Sequence, residues 1–142
     1  MKTRLEQGLS ALHLSPTPSG TLERYCSLLL EQNQMMNLTA ITDPDQVVDL
    51  HMLDSAALLT VDDFSGKKVI DVGTGAGFPG LVLKILDPTI QLTLLDSLGK
   101  RVDWLGELCQ ELHLPDVTLL KGRAEELSRQ SITGIPLIRQ WM

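Results

Sequence analysis

Ten residues, Asp71-Val-Gly-Thr-Gly-Ala-Gly-Phe-Pro-Gly80, constrain this chain more than any other stretch. They follow the apolar pair Val69-Ile70 and precede a helical pattern. An acid at a strand end, then glycines at 73, 75 and 77, reads as a strand–turn–helix that lets a ligand approach the backbone, because glycine lacks a Cβ. A dinucleotide fingerprint wants its third glycine where Phe78 stands, so the match to it is poor. A carboxylate at Asp71 repels a pyrophosphate and suits a ligand presenting an ammonium or a sulfonium. S-adenosylmethionine carries both and has no phosphates, which makes it the expected cofactor. An NAD-dependent oxidoreductase is the disfavoured rival.

The chain has 142 residues and a formal net charge of −6. No apolar run reaches the ~18 residues of a membrane span, and the start, Met1 to Gln7, has no apolar core like a secretory signal's. The expectation is a cytosolic protein with no membrane partner. Cys26 and Cys109 fall on separate helical patterns without metal-ligand spacing, so free buried thiols and no metal site are expected. The acidic balance argues against a general nucleic-acid binder. It leaves room for local basic patches, and the concentrated sites are Lys67-Lys68, Lys100-Arg101 and Lys121/Arg123. They are either solvated surface or, flanking strand ends, a functional patch.

Residues 1–61 read as a helical extension and 62–142 as a partial α/β domain binding S-adenosylmethionine. Leu5, Leu9 and Leu12 make a helical stripe. Pro16 and Pro18 break it. Ser19 or Thr21 is positioned to cap a second helix carrying Leu22, Tyr25, Leu28 and Leu29, which ends between Asn33 and Asn37. Asp43-Pro44 opens a third, running towards Leu59. Beyond residue 62 come strand 68–71, helix 78–86, strand 91–95, a helix bearing Leu98, Val102, Leu105, Cys109 and Leu112, and strand 117–120. This alternation predicts a parallel sheet in the order 3-2-1. It reads as the first half of a doubly wound sheet, and with the expected cofactor the fold class expected is α/β, the first half of a Rossmann-like class I methyltransferase sheet. Pro136 makes a central strand in the tail doubtful. The first strand is left with an unpaired edge that invites association, and the expectation is a truncated or frame-shifted chain; a small natural three-stranded domain is the alternative.

The turn assigns roles. Gly73, Gly75 and Gly77 admit the cofactor, helix N–H groups behind them face its methionine end, and Asp71 meets its amino group. Asp96, about 25 residues further on, lies where an acid meets ribose hydroxyls, or else caps the next helix. Ala124 N–H and Glu125 are placed to meet an adenine edge, unless Glu125 is a surface acid at a helix start. His51, Asp54 and Ser55 share one short helix and so form no catalytic relay. They read as a polar stripe, or as a surface that orders site or substrate. No catalytic residue is assigned.

Four segments then resemble one family: Asn37-Leu-Thr39, His51-Met-Leu-Asp54-Ser55, the Asp71–Gly80 turn, and Leu94-Leu-Asp-Ser-Leu-Gly-Lys-Arg101. The chain resembles, from about residue 20 to 127, the bacterial 16S ribosomal RNA guanine-N7 methyltransferases, or glucose-inhibited division protein B family. The resemblance implies a cofactor site of Gly73, Phe78, Asp96, Ala124 and Glu125. It implies a guanine in small-subunit ribosomal RNA, or an assembling subunit, as target, with Asn37, His51, Asp54, Lys100, Arg101 and Arg123 at the RNA-facing mouth. It implies a monomeric full-length parent. The family continues with a strand ending in Ser-Arg-Ala, then three more strands. Arg139 falls near that arginine, but Ile138 and Gln140 do not fit the motif, and no role is carried to it. Two readings follow: a working methyltransferase, or a fragment that cannot turn over.

Overall fold

The computed structural model describes residues 1–123 and the strand Leu137–Arg139. Two helices open it, α1 (Lys2–Ala11) and α2 (Ser19–Met36). Leu5 and Leu9 are buried in α1, and Leu22, Tyr25, Cys26 and Leu29 in α2, as the stripes predict. Neither Ser19 nor Thr21 caps α2. Pro18 precedes its first residue, and Ser19 Oγ is buried without a partner. The ring of Pro18 fixes a φ of −75°, which suits the helical entry. Asn37 ends the helix in the left-handed region, φ +50°, a conformation asparagine tolerates better than most residues.

The third helix is present but irregular. Asp43 accepts from Gln46 N at 3.1 Å and caps α3 (Pro44–Val47), with Pro44 in the first position. A π-helical segment (Val48–Leu53), α4 (Asp54–Ala56) and a 3-10 turn (Ala57–Thr60) complete the run. Single π turns inside helices recur at functional sites, and His51 lies on this one.

The sheet follows: β1 (Lys68–Val72), α5 (Gly80–Leu86), β2 (Gln91–Asp96), α6 (Gly99–Glu111) and β3 (Thr118–Lys121). Its strands are parallel, with Val72 beside Leu95 and Asp96 beside Lys121. The expected order 3-2-1 holds, but β1 is not an edge. β4 (Leu137–Arg139) pairs with it in parallel, Ile70 beside Leu137 and Val72 beside Arg139, giving the order β3-β2-β1-β4. This corrects the bare first strand, while the strand after Pro136 is an edge strand among the described residues rather than a central one. Pro136 precedes β4 in sequence and is not part of it. Among the described residues, the outer edges belong to β3 and β4.

One apolar cluster joins Leu5, Leu9, Tyr25 and Met52 to Leu81, Leu92, Leu105 and Leu108, so the helical segment and the sheet share a core. At the other end of the sheet Lys84 is buried, its Nζ donating to the carbonyls of Pro88 (2.7 Å) and Ile90 (2.6 Å). Among the described residues no helix is long and apolar enough to cross a membrane.

Both cysteines are buried and free. Burial pushes the Cys26 thiol up to about 12 and that of Cys109 to about 11. The thiolate is the nucleophile, so neither is expected to react with an aromatic disulfide reagent at pH 8 until the protein is unfolded in denaturant. Rapid modification of the native protein would show that the α2–α6 core opens locally.

Candidate functional site

The site lies at the carboxyl edge of the sheet, where open α/β folds bind ligands. β1 leaves that edge into the glycine turn, β2 at Asp96 and β3 at Lys121. Asp71, expected to meet a ligand directly, lies beneath the turn and is 0 % exposed. Its Oδ2 accepts from Thr74 Oγ1 (2.8 Å) and Gly80 N (3.0 Å), and its Oδ1 is buried with no partner. Burial raises the carboxyl to about 7, against these two hydrogen bonds and with help from the charge of Asp96. A Cβ on Gly80 would lie 2.9 Å from Asp71 Oδ2, so a side chain there would push that carboxylate aside.

The expected N–H cradle is also corrected. Gly80 N–H already points at Asp71, which is therefore the anion at the start of α5. The N–H groups of Gly73 and Thr74 donate to Leu95 O (2.9 and 3.1 Å), that of Gly75 to Asp96 Oδ2 (2.9 Å) and that of Gly77 to Thr74 O (3.0 Å). At these positions the turn offers space rather than donors. Gly73, at φ +67°, has no atom within 4 Å of where a Cβ would stand.

Asp96 is 3 % exposed, and both its oxygens are engaged. Oδ2 holds Gly75, and Oδ1 accepts from Leu98 N at 2.9 Å with Arg101 Nη1 3.6 Å away. The acid thus ties the glycine turn to the entry of α6. A carboxylate has about four acceptor positions, so hydroxyls remain compatible with it. Arg101 faces inward, with Nε buried and unpartnered. Lys100, Lys121 and Arg123 are exposed on the same edge, and Lys121 lies over Gly99 at the start of α6. Lys67-Lys68 are placed differently from the other basic pairs. Lys68 begins β1 and Lys67 precedes it, at the sheet end opposite the turn, because a parallel strand delivers its ligand edge only at its C-terminus. Ala124 and Glu125 lie outside the described residues.

Beside the turn a cleft of about 1180 Å³ opens between the helical segment and the sheet. It gathers Asn37, His51, Asp54, Gly75, Phe78 and Arg101 in one wall set, but not Asp71, Gly73, Gly77, Asp96 or Lys100. Phe78, 7 % exposed, stacks on His51 (centroids 4.5 Å apart, planes at 11°) and on Tyr25 (5.3 Å, 6°). His51 Nε2 lies 2.8 Å from Thr39 Oγ1, and Thr39 N donates to Asn33 Oδ1 at 2.8 Å. Burial lowers the pKa of His51, outweighing nearby Asp54, and so favours the uncharged ring. Sequence reasoning assigned Tyr25, Asn33 and Thr74 to packing, a helix end and the turn. Nothing in their spacing marks them as supports of the site.

A parallel sheet with an acid-based glycine turn after β1 and a second acid after β2 defines a nucleotide-type α/β ligand-binding fold. The family described as rRNA small subunit methyltransferase G matches residues 19–139. Similar curated proteins include three named ribosomal RNA small subunit methyltransferase G. That of Carboxydothermus hydrogenoformans is 49 % identical, covering 76 % of this chain and 46 % of the relative. That of Alkaliphilus metalliredigens is 46 % identical, covering 91 % and 55 %. That of Mycoplasma capricolum is 50 % identical, covering 75 % and 46 %. The chain belongs to the rRNA small subunit methyltransferase G family, and it spans about half the length of these relatives.

Proposed function

We infer that the chain is the cofactor-binding part of an enzyme that moves a methyl group from S-adenosylmethionine to N7 of a guanine in small-subunit ribosomal RNA. The observation that carries this reading is the cleft joining the glycine turn to Asn37, His51 and Arg101, in a chain of this family. The residues fit the cofactor. Asp71 Oδ1 is a buried acceptor without a partner, and the space above Gly73 is what close ligand approach requires. S-adenosylmethionine, when bound, supplies an activated methyl on a cationic sulfur.

Around it, Asp71 Oδ1 accepts from the amino group and Asp96 takes ribose hydroxyls with its remaining lone pairs. Gly75, Gly77 and Phe78 shape the turn, and Ala124 and Glu125 meet the adenine edge. Guanine N7 has a free lone pair, so no general base is needed; holding the partners in line is worth ~7–11 kcal/mol. Asn37, His51 and Asp54 order the mouth. Lys100 and Arg123 hold phosphates and set register. Arg101 faces both RNA and Asp96. The target places the reaction in the cytosol, with an assembling small subunit as partner.

The test is incorporation of labelled methyl from S-adenosylmethionine into small subunits lacking this modification, with calorimetry against S-adenosylmethionine and NAD. Incorporation, and heat with the first compound alone, is the expected result. Binding without incorporation, alongside activity of a full-length relative, would reduce the reading to a cofactor-binding fragment. Binding of NAD would overturn it.

A further inference from the structure

The N-terminal helical segment reaches the cofactor turn through one side chain that the proposed reaction does not use. Tyr25 of α2 is fully buried, and its hydroxyl donates to Ala76 O at 2.6 Å. The same hydroxyl oxygen would collide with a Cβ on Gly77. The ring stacks on Phe78. Three consecutive turn residues are thus fixed by one tyrosine more than fifty positions earlier in the chain. From α2 a second path returns to Phe78: Asn33 holds Thr39, Thr39 holds His51, and His51 stacks on Phe78. The contacts close into a ring that runs from helix to cleft mouth to turn and back.

We propose that Tyr25 is a positioning residue for the cofactor turn and that the Tyr25–Phe78–His51 stack couples the shape of that turn to the order of the cleft mouth. This rests on the reading of the turn as the cofactor site, but its central claim, that Tyr25 sets the turn, stands without any ligand. A buried carbonyl deprived of its donor loses more than an average hydrogen bond, and the carbonyl concerned belongs to the turn itself. Neighbours in one network give non-additive effects, whereas distant sites add. The coupling therefore has a direct signature.

The experiment compares Tyr25→Phe, which keeps the ring, with Leu29→Ala, a core truncation one turn along the same helix that leaves the Tyr25 hydroxyl in place. Amide exchange is followed by NMR in the ligand-free protein. Tyr25→Phe is expected to speed exchange at Gly75 and Gly77 about tenfold more than at the β2 amides, and Leu29→Ala to speed both sets alike. Calorimetry then gives the affinity of the folded protein for S-adenosylmethionine. Tyr25→Phe and His51→Ala each weaken binding about five- to tenfold, the double variant by less than the product, and Leu29→Ala leaves it unchanged. Uniform exchange in Tyr25→Phe overturns the positioning role, whatever the protein binds. Multiplicative losses in the double variant overturn the coupling. A wild-type chain that binds no S-adenosylmethionine, with the localised exchange still observed, sinks the cofactor reading and leaves the positioning role standing.

Discussion

Gly77→Ala destabilises the protein by roughly 2–6 kcal/mol, the largest effect expected of any single methyl in the turn. Two independent costs add there. Gly77 has φ +101°, a backbone region that an alanine occupies only under strain. The new methyl also meets Tyr25 Oη, which cannot retreat because its ring is packed in the core and its proton is held by Ala76 O. Urea unfolding measures the sum. Gly73→Ala is the contrast. It shares the positive φ but meets open space, so it costs stability only about 1–2 kcal/mol while placing a methyl where the cofactor is proposed to lie. Adding Tyr25→Phe to Gly77→Ala removes the colliding oxygen and is expected to recover part of the loss. A Gly77→Ala protein as stable as the wild type would show that the turn and α2 are not in contact.

That contact was invisible in the sequence, and the reason is general to this fold. Period and punctuation report on one element at a time: the Leu5/Leu9 stripe, the Asp43-Pro44 cap and the strand–helix alternation after residue 67 were all legible because each is a local pattern. The glycines were legible as a turn, but not their separate uses. Gly73 opens space, Gly77 admits a tyrosine from another element, and Gly80 admits the carboxylate of Asp71. The π segment carries no signature, since its residues are ordinary helix formers. β4 is short and follows a proline, so only its pairing with β1 identifies it. Among the candidate residues, Asn37, His51, Asp54 and Arg101 stand out by motif, and the fold brings them to one cleft. Asp71 was legible as the acid at the strand end but its depth was not, because burial is a property of the packed sheet and not of its position in the motif.

The burial of Asp71 yields the second large prediction, a pH dependence opposite in sign to that of most carboxylates. Its carboxyl titrates near 7 in the folded protein and near 4 when unfolded. Below about pH 4 both states hold the proton and the group has no effect on stability. Between about 4 and 7 only the folded state holds it, so stability falls as pH rises, and the loss is complete above about 7. From pH 5 to 8 this amounts to something on the order of 3 kcal/mol. The surface acids Asp49, Asp63 and Asp87, which titrate below their usual range, act in the other direction but at lower pH, and they are present in any Asp71 variant. Asp71→Asn isolates the effect: the stability difference between variant and wild type should move in the variant's favour across pH 5–8 by that amount. The unpaired amide nitrogen costs the variant the same at each pH. Equal pH profiles for the two proteins would mean that the carboxylate is solvated or paired in solution. Ligand affinity carries the opposite sign. An ammonium that pairs with Oδ1 stabilises the anion, lowers its pKa and releases the proton. Binding of S-adenosylmethionine should therefore strengthen as pH rises through 7 in the wild type, and in Asp71→Asn it should be weak and pH-independent over the same interval.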